Sequence, residues 1–221
     1  MTWFLRNWEQ VAVALAEHIV IAGSALAIAF VLSLAIGIAA ARSQRVFDAA
    51  IAVSGILYTV PTLAFLALLI PIVGLGKTNA IICMVAFSLM ILVRNIATGI
   101  REVPADVTDA ARGMGMSAAE VLWKVELPLA MPVIIAGIRT SVIINIGTAA
   151  LASTVGARSL GTPIIVGLAG FNTAYIIQGA IVVGLLAIVV DLGFDRLLRF
   201  LDRWREAEAP GASAAQVPGT P

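Results

Sequence analysis

Apolar runs of about 20 residues or more recur along this chain, and a run of that length is what a helix needs to cross a bilayer. They lie at 18–41, 47–70, 80–100, 130–155 and 174–198. Inside hydrocarbon the backbone must satisfy its own hydrogen bonds, so each run is expected to be a helix. The chain is 61% hydrophobic and 12% charged, against about 25% charged in a water-soluble domain. The expected fold is therefore an all-α integral membrane protein with five transmembrane helices. Pro61 falls inside the second run and Pro71 ends it, and a turn rich in Gly and Pro follows at 71–79.

The remaining composition excludes several chemistries. Cys83 and His18 are each the only residue of their kind, which leaves no internal disulfide and no multi-cysteine metal site. A net charge of +1 gives no bulk attraction to nucleic acid. His18 is read as packed or interfacial. Trp3, Phe4 and Trp8 suit a membrane–water interface, so residues 1–17 are expected at the membrane surface and not as a cleaved leader. The permease domain is bounded at 18–200. The tail 201–221 ends in Ala, Pro, Gly and Ser and is expected to be cytoplasmic and disordered.

Lys and Arg set the orientation. Arg42, Arg45, Arg101, Arg112, Lys124, Arg196, Arg199, Arg203 and Arg205 fall at one set of span ends, and Arg6, Lys77 and Arg158 at the other. The first set is assigned to the cytoplasm. Five spans then place the N-terminus outside and the C-terminus inside, in the inner membrane.

The segment 101–128 is too polar to span and too patterned to be a passive linker. Pro104, Asp106 and Asp109 suit a helix start. Val107, Ala110, Ala111 and Met114 form an apolar face at helical spacing. Gly113 and Gly115 break that helix. Ser117-Ala118-Ala119-Glu120 is a capping box that opens a second short helix, which Pro128 is expected to stop. Two readings of this knuckle stand: an amphipathic hairpin on lipid headgroups, or a docking element whose small residues Ala110, Ala111 and Gly115 admit a partner.

Asp109-Ala110-Ala111, three residues, Gly115, nine residues, then Val125-Glu126-Leu127-Pro128 resembles the loop signature of binding-protein-dependent ABC importer permeases of type I. Asp stands where the signature has Glu, and Val where it has Ile. The resemblance implies a coupling loop in which Asp109, Ala110, Ala111, Gly113, Met114, Gly115 and Met116 dock onto an ATPase subunit. Further segments are similar to the osmoprotectant permeases for glycine betaine, choline and carnitine: Tyr58–Ala64, Ile70–Lys77, Ala136–Thr140, Asn145–Ala149 and the loop from Gly156.

A solute path needs polar lining at helix breaks, where freed backbone faces a cavity or protein. Thr59, Pro61 and Thr62 fit in the second span, and Asn145 and Thr148 in the fourth, where Asn145, Thr148 and Ala152 share a face. The competing reading is helix packing by small and polar residues. Arg139 lies in the fourth span, read either as snorkelling or as a cytoplasmic gate contact. Asp191, Asp195 and Arg199 follow at helical spacing as an ion-pair ladder. Phe171 and Tyr175 are read as an interfacial belt or as a contact for the binding protein or substrate.

No phosphate-binding G-x-x-x-x-G-K-[ST] occurs, so the chain is expected to be non-catalytic and to bind no cofactor. ATP and Mg would sit on a partner ATPase dimer. The resemblance also implies a second permease subunit, identical or not, and a periplasmic or lipid-anchored solute-binding protein. The cargo is expected to be a quaternary amine, with another small solute such as an amino acid as the alternative. An ion-gradient-driven carrier is the rival class.

Overall fold

The structure, a computed structural model, describes residues 8–208, with side chains as far as Phe200. Expectations on residues 1–7 and 209–221, including Trp3, Phe4, Arg6 and the end of the tail, lie outside the described residues. Helix α1 runs Trp8–Arg42, α2 Gln44–Thr59, α3 Thr62–Val73 and α4 Lys77–Arg101. The polar hairpin holds α5, Ala105–Gly113, and α6, Ala118–Val121. A π turn, Leu122–Glu126, leads into α7, Leu127–Leu151, and a 3-10 turn Ala152–Val155 follows. Helix α8 is Thr162–Ala169 and α9 is Thr173–Glu208. No strand occurs among the described residues.

Helix α4 is the centre: α1, α2, α3 and α7 all pack on it. The cause on the α1 side is a stripe of small residues four apart: Ala25, Ala29, Ser33 and Gly37, all buried. Small side chains let two helix backbones approach, which is how helices associate where water supplies no hydrophobic drive. A Cβ on Gly37 would lie 2.7 Å from Ile96 Cγ2 of α4. His18 belongs to the same interior and is fully buried.

The second span differs from the expected single helix over 47–70. It is two helices bent by 97° at Val60-Pro61. Pro61 has no amide proton to donate, and it drives Val60 into an extended conformation, φ −70 and ψ 127. With 16 and 12 residues, α2 and α3 are about 24 and 18 Å long, each short of the roughly 30 Å hydrocarbon core. The elbow is held from behind by aromatic packing: the Tyr58 and Phe65 rings lie 5.8 and 5.6 Å from that of Phe87 on α4. Below it, buried Asn79 donates to the Leu66 and Gly74 carbonyls at 3.2 and 3.0 Å, closing the turn from α3 into α4.

The fourth span also departs from expectation, because Pro128 does not stop the preceding helix. Helix runs without interruption from Ala118 to Val155. The Leu127 amide donates five residues back, to Leu122. Widening the helix by one residue directly before the proline absorbs the donor it lacks. The helix that carries the first apolar run starts earlier, at Trp8, and the last helix continues through Glu208.

Candidate functional site

The hairpin is built from one closed motif and one cap. Where α5 ends, the Gly115 amide donates to Arg112 O at 2.9 Å and the Met116 amide to Ala111 O at 3.2 Å. That pair is the Schellman arrangement, which needs a left-handed residue at its fifth position. Gly115 supplies it with φ +88, whereas Gly113 is simply the last helical residue. The second helix opens on a complete capping box. Ser117 Oγ accepts from the Glu120 amide at 3.4 Å, and Glu120 Oε2 accepts from the Ser117 amide at 3.0 Å. Lys124 donates to Glu120 Oε1 at 2.9 Å. Lys124 foremost, then the Ser117 amide and hydroxyl, hold the Glu120 carboxyl down to about 2. A depressed carboxyl contributes stability above its ordinary range and loses it only as pH falls through that low value, so the cap is fully charged near neutrality.

The hairpin presents its signature residues outward. Asp109, Ala110, Gly113, Met114 and Gly115 are exposed, Met116 is half-buried, and Ala111 is buried against the turn. Asp109 pairs with Arg112 at 2.9 Å on the surface. Met114 is 74% exposed and Trp123, beside the cap, 60%. Large apolar side chains exposed on a polar knuckle mark a surface that meets either a protein or a membrane.

Both ends of the hairpin are tied to the corner where α1 turns into α2 through the single residue Ser43. On the entering side Arg101, last residue of α4, donates to the Ala40 and Ala41 carbonyls at 2.6 and 3.3 Å. It also donates to Gln44 Oε1 at 2.8 Å and stacks 4.6 Å from the centre of the Phe47 ring. On the leaving side Glu126, last residue of the π turn, is 3% exposed. Arg42, last residue of α1, grips it with both guanidinium nitrogens, Nη1 reaching Oε1 at 2.9 Å and Nη2 reaching Oε2. Sequence reading counted Arg42 and Arg101 only as charges on one face and assigned Glu126 nothing. The available signal was a glutamate directly ahead of the apolar run that begins at Leu127.

The polar groups proposed for a path fall in two places. Thr59 and Pro61 are exposed at the α2–α3 elbow, and Thr62 is half-buried there. Thr59 Oγ1 donates to Ile56 O at 2.7 Å. Asn145 and Thr148 instead lie inside the bundle, 0% and 9% exposed. The Ser88 hydroxyl of α4 donates to Asn145 Oδ1 at 3.1 Å. The face shared by Asn145, Thr148 and Ala152 is thus buried within this chain.

Arg139 does not snorkel alone. Its Nε and Nη2 donate to Asp191 Oδ1 and Oδ2 of α9 at 2.6 and 2.8 Å. Asp195 lies 3.9 Å from Nη1 and pairs with Arg199 at 2.5 Å. The ladder expected along α9 is therefore bridged across to α7, with Asp191 turned to Arg139. At the opposite end of the bundle from the hairpin, a cavity of about 530 Å³ is lined by Glu9, Ala14, Arg158, Thr162, Pro163 and Tyr175. Phe171, in the turn between α8 and α9, is 96% exposed with φ +51.

Comparison with known proteins agrees with this geometry. Residues 17–206 match the family described as binding-protein-dependent transport system inner membrane component. The chain is 42% identical to the choline transport system permease protein OpuBB of Bacillus subtilis over 79% of this chain and 81% of that one. It is 38% identical to the glycine betaine/carnitine/choline transport system permease protein OpuCB of the same organism, covering 86% and 88%. It is 37% identical to the carnitine transport permease protein OpuCB of Listeria monocytogenes, covering 89% and 90%. A chain of the MetNI methionine ABC transporter, solved in inward-facing conformations, shares the fold with a TM-score of 0.77 at 21% identity, over 88% of this chain and 97% of that one. With the all-helical fold, the apolar spans and the hairpin in place, the chain belongs to the binding-protein-dependent transport system inner membrane components, the multi-pass permeases of ABC importers.

Proposed function

We propose that this chain is one of two permease subunits of an ATP-driven importer that carries quaternary amines such as glycine betaine, choline or carnitine into the cytoplasm. The observation that carries the cargo class is the identity of 42% with a choline permease, spread over 79% of the chain. The chain itself is non-catalytic. An ATPase dimer holding ATP and Mg docks on the hairpin through Asp109, Ala110, Ala111, Gly113, Met114, Gly115 and Met116. The outward Met114 and the closed Gly115 turn support that assignment. A second permease copy or relative completes the path, and a solute-binding protein, periplasmic or lipid-anchored, delivers the cargo to the end that carries Arg158. The N-terminus faces outside and the C-terminus the cytoplasm.

Thr59, Pro61 and Thr62 line the path at the elbow, where freed backbone and hydroxyls offer weak polar contacts to a zwitterion. Asn145 and Thr148 act one layer behind, keeping α7 polar against α4. Arg139 with Asp191 closes the cytoplasmic mouth. ATP-driven closure of the ATPases moves the hairpins and turns the cavity between inward and outward. Proteoliposomes holding the full transporter test the reading with labelled glycine betaine, choline, carnitine and amino acids. ATP-dependent uptake of the quaternary amines is expected. Uptake of amino acids alone overturns the cargo class, and uptake without the ATPase overturns the mechanism.

A further inference from the structure

We infer that Arg42 and Glu126 are positioning residues that pass displacement of the hairpin to α1, through a bidentate strap between the end of α1 and the π turn. The inference rests on the docking of an ATPase to the hairpin proposed above. Helices α5 and α6 pack on each other and on the π turn, so the hairpin moves as one knuckle with that turn. A hollow of about 460 Å³, lined by Arg42, Arg112, Ala118, Ala119, Val121 and Leu122, separates the knuckle from the end of α1. Across that hollow the Arg42–Glu126 pair is the strong polar link, since two parallel charge-assisted bonds fix direction as well as distance.

Glu126 is buried at 3% exposure and Arg42 is half-exposed at 47%. A buried carboxylate without its partner is not tolerated, so the knuckle and α1 stay together through any movement that keeps the pair. The Arg101 clamp on Ala40, Ala41 and Gln44 ties the end of α4, not the knuckle, to the same corner. Pulling the knuckle therefore pulls the α1–α2 corner, and α1 runs from that corner against α4 for the depth of the bundle. The π turn supplies the compliance: a widened turn can slip by one hydrogen bond without breaking the helix.

The test uses the whole transporter with its ATPase and binding protein. Spin labels at Asp106→Cys, exposed on the knuckle, and, separately, at Ala39→Cys on α1 report ATP-driven motion of each. In the native background both labels respond to ATP. With Glu126→Gln added, the Asp106 label still responds, the Ala39 response is lost, and solute carried per ATP hydrolysed falls about tenfold, while hydrolysis stimulated by the binding protein stays within about twofold. Exchanging the two charges, Arg42→Glu with Glu126→Arg, restores the Ala39 response. An Ala39 label that still responds in Glu126→Gln overturns the inference, as does equal loss of hydrolysis and uptake, which marks a fold-holding pair. An Asp106 label silent in the native background overturns the docking reading instead, and unchanged labels with no quaternary-amine uptake overturn only the cargo.

Discussion

Arg42 and Glu126 have unequal needs of each other, and the inequality is measurable. Arg42→Met strands a carboxylate at 3% exposure and is expected to cost about 3 kcal/mol of stability. Glu126→Gln leaves an arginine that is already 47% exposed and keeps one hydrogen bond, at about 1 kcal/mol. Thermal unfolding in detergent orders the two variants, and equal losses would contradict the burial. Gly115 is a different case. Open space surrounds the place of its missing Cβ, but φ is +88, so Gly115→Ala fails through backbone strain and not through a clash. About 1–2 kcal/mol is lost from the hairpin turn, read as weaker ATPase binding, with Gly115→Asn milder. Asp109→Lys removes a pair whose partners are 69% and 55% exposed. Such pairs contribute about 0–1 kcal/mol, so the unfolding midpoint should hold. A drop in ATPase affinity then reports contact with the partner itself.

At the level of elements, the five apolar runs and the capping box were legible because each is a local pattern with a local cause. Three features were not. Pro61 was visible inside the second run, but the 97° bend depends on Phe87 filling the space behind the elbow, a contact from another helix. Pro128 reads as a stop by its local chemistry, yet the π turn before it removes the conflict. The Arg42–Glu126 and Arg139–Asp191 pairs join residues 84 and 52 positions apart, beyond any periodicity. The α1 stripe of Ala25, Ala29, Ser33 and Gly37 was legible and went unread. The α7–α9 pair carries its own test. Of the span in α9 only 6% is buried; it packs closely on α8 at Gly167 and Gly179, and the bridge to Arg139 ties it to α7. Asp191→Leu alone leaves Arg139 without its bidentate partner and is expected to lower the yield of folded protein. Adding Arg139→Met should recover most of that loss, measured as yield of folded protein. A double variant no better than the single would mean the pair carries more than mutual neutralisation.

Over the whole molecule, charge is sorted by end. Arg42, Arg101, Arg112 and Lys124 gather at the hairpin end, with Arg139, Asp191, Asp195 and Arg199 linking α7 to the same end of α9. The other end holds Lys77, paired with Glu17, and Arg158 beside the cavity. Positive charge stays on the cytoplasmic side during insertion because carrying it through the bilayer is costly. This bias sets the direction of every span once one is placed, so a single pair of reporters decides the topology. Met114 is 74% exposed at the hairpin and Phe171 is 96% exposed at the far end, while the native Cys83 is buried and silent. In intact cells an impermeant maleimide should label Phe171→Cys from outside and leave Met114→Cys untouched until the membrane is opened. The Phe171 site has a second use. Its left-handed backbone, φ +51, is one that Asn adopts with less strain, so Phe171→Asn should raise the unfolding midpoint by an amount worth about 1 kcal/mol. A variant that is more stable yet imports poorly would place the exposed ring in delivery of the solute. One that is more stable and imports normally would leave it as part of the membrane-surface belt.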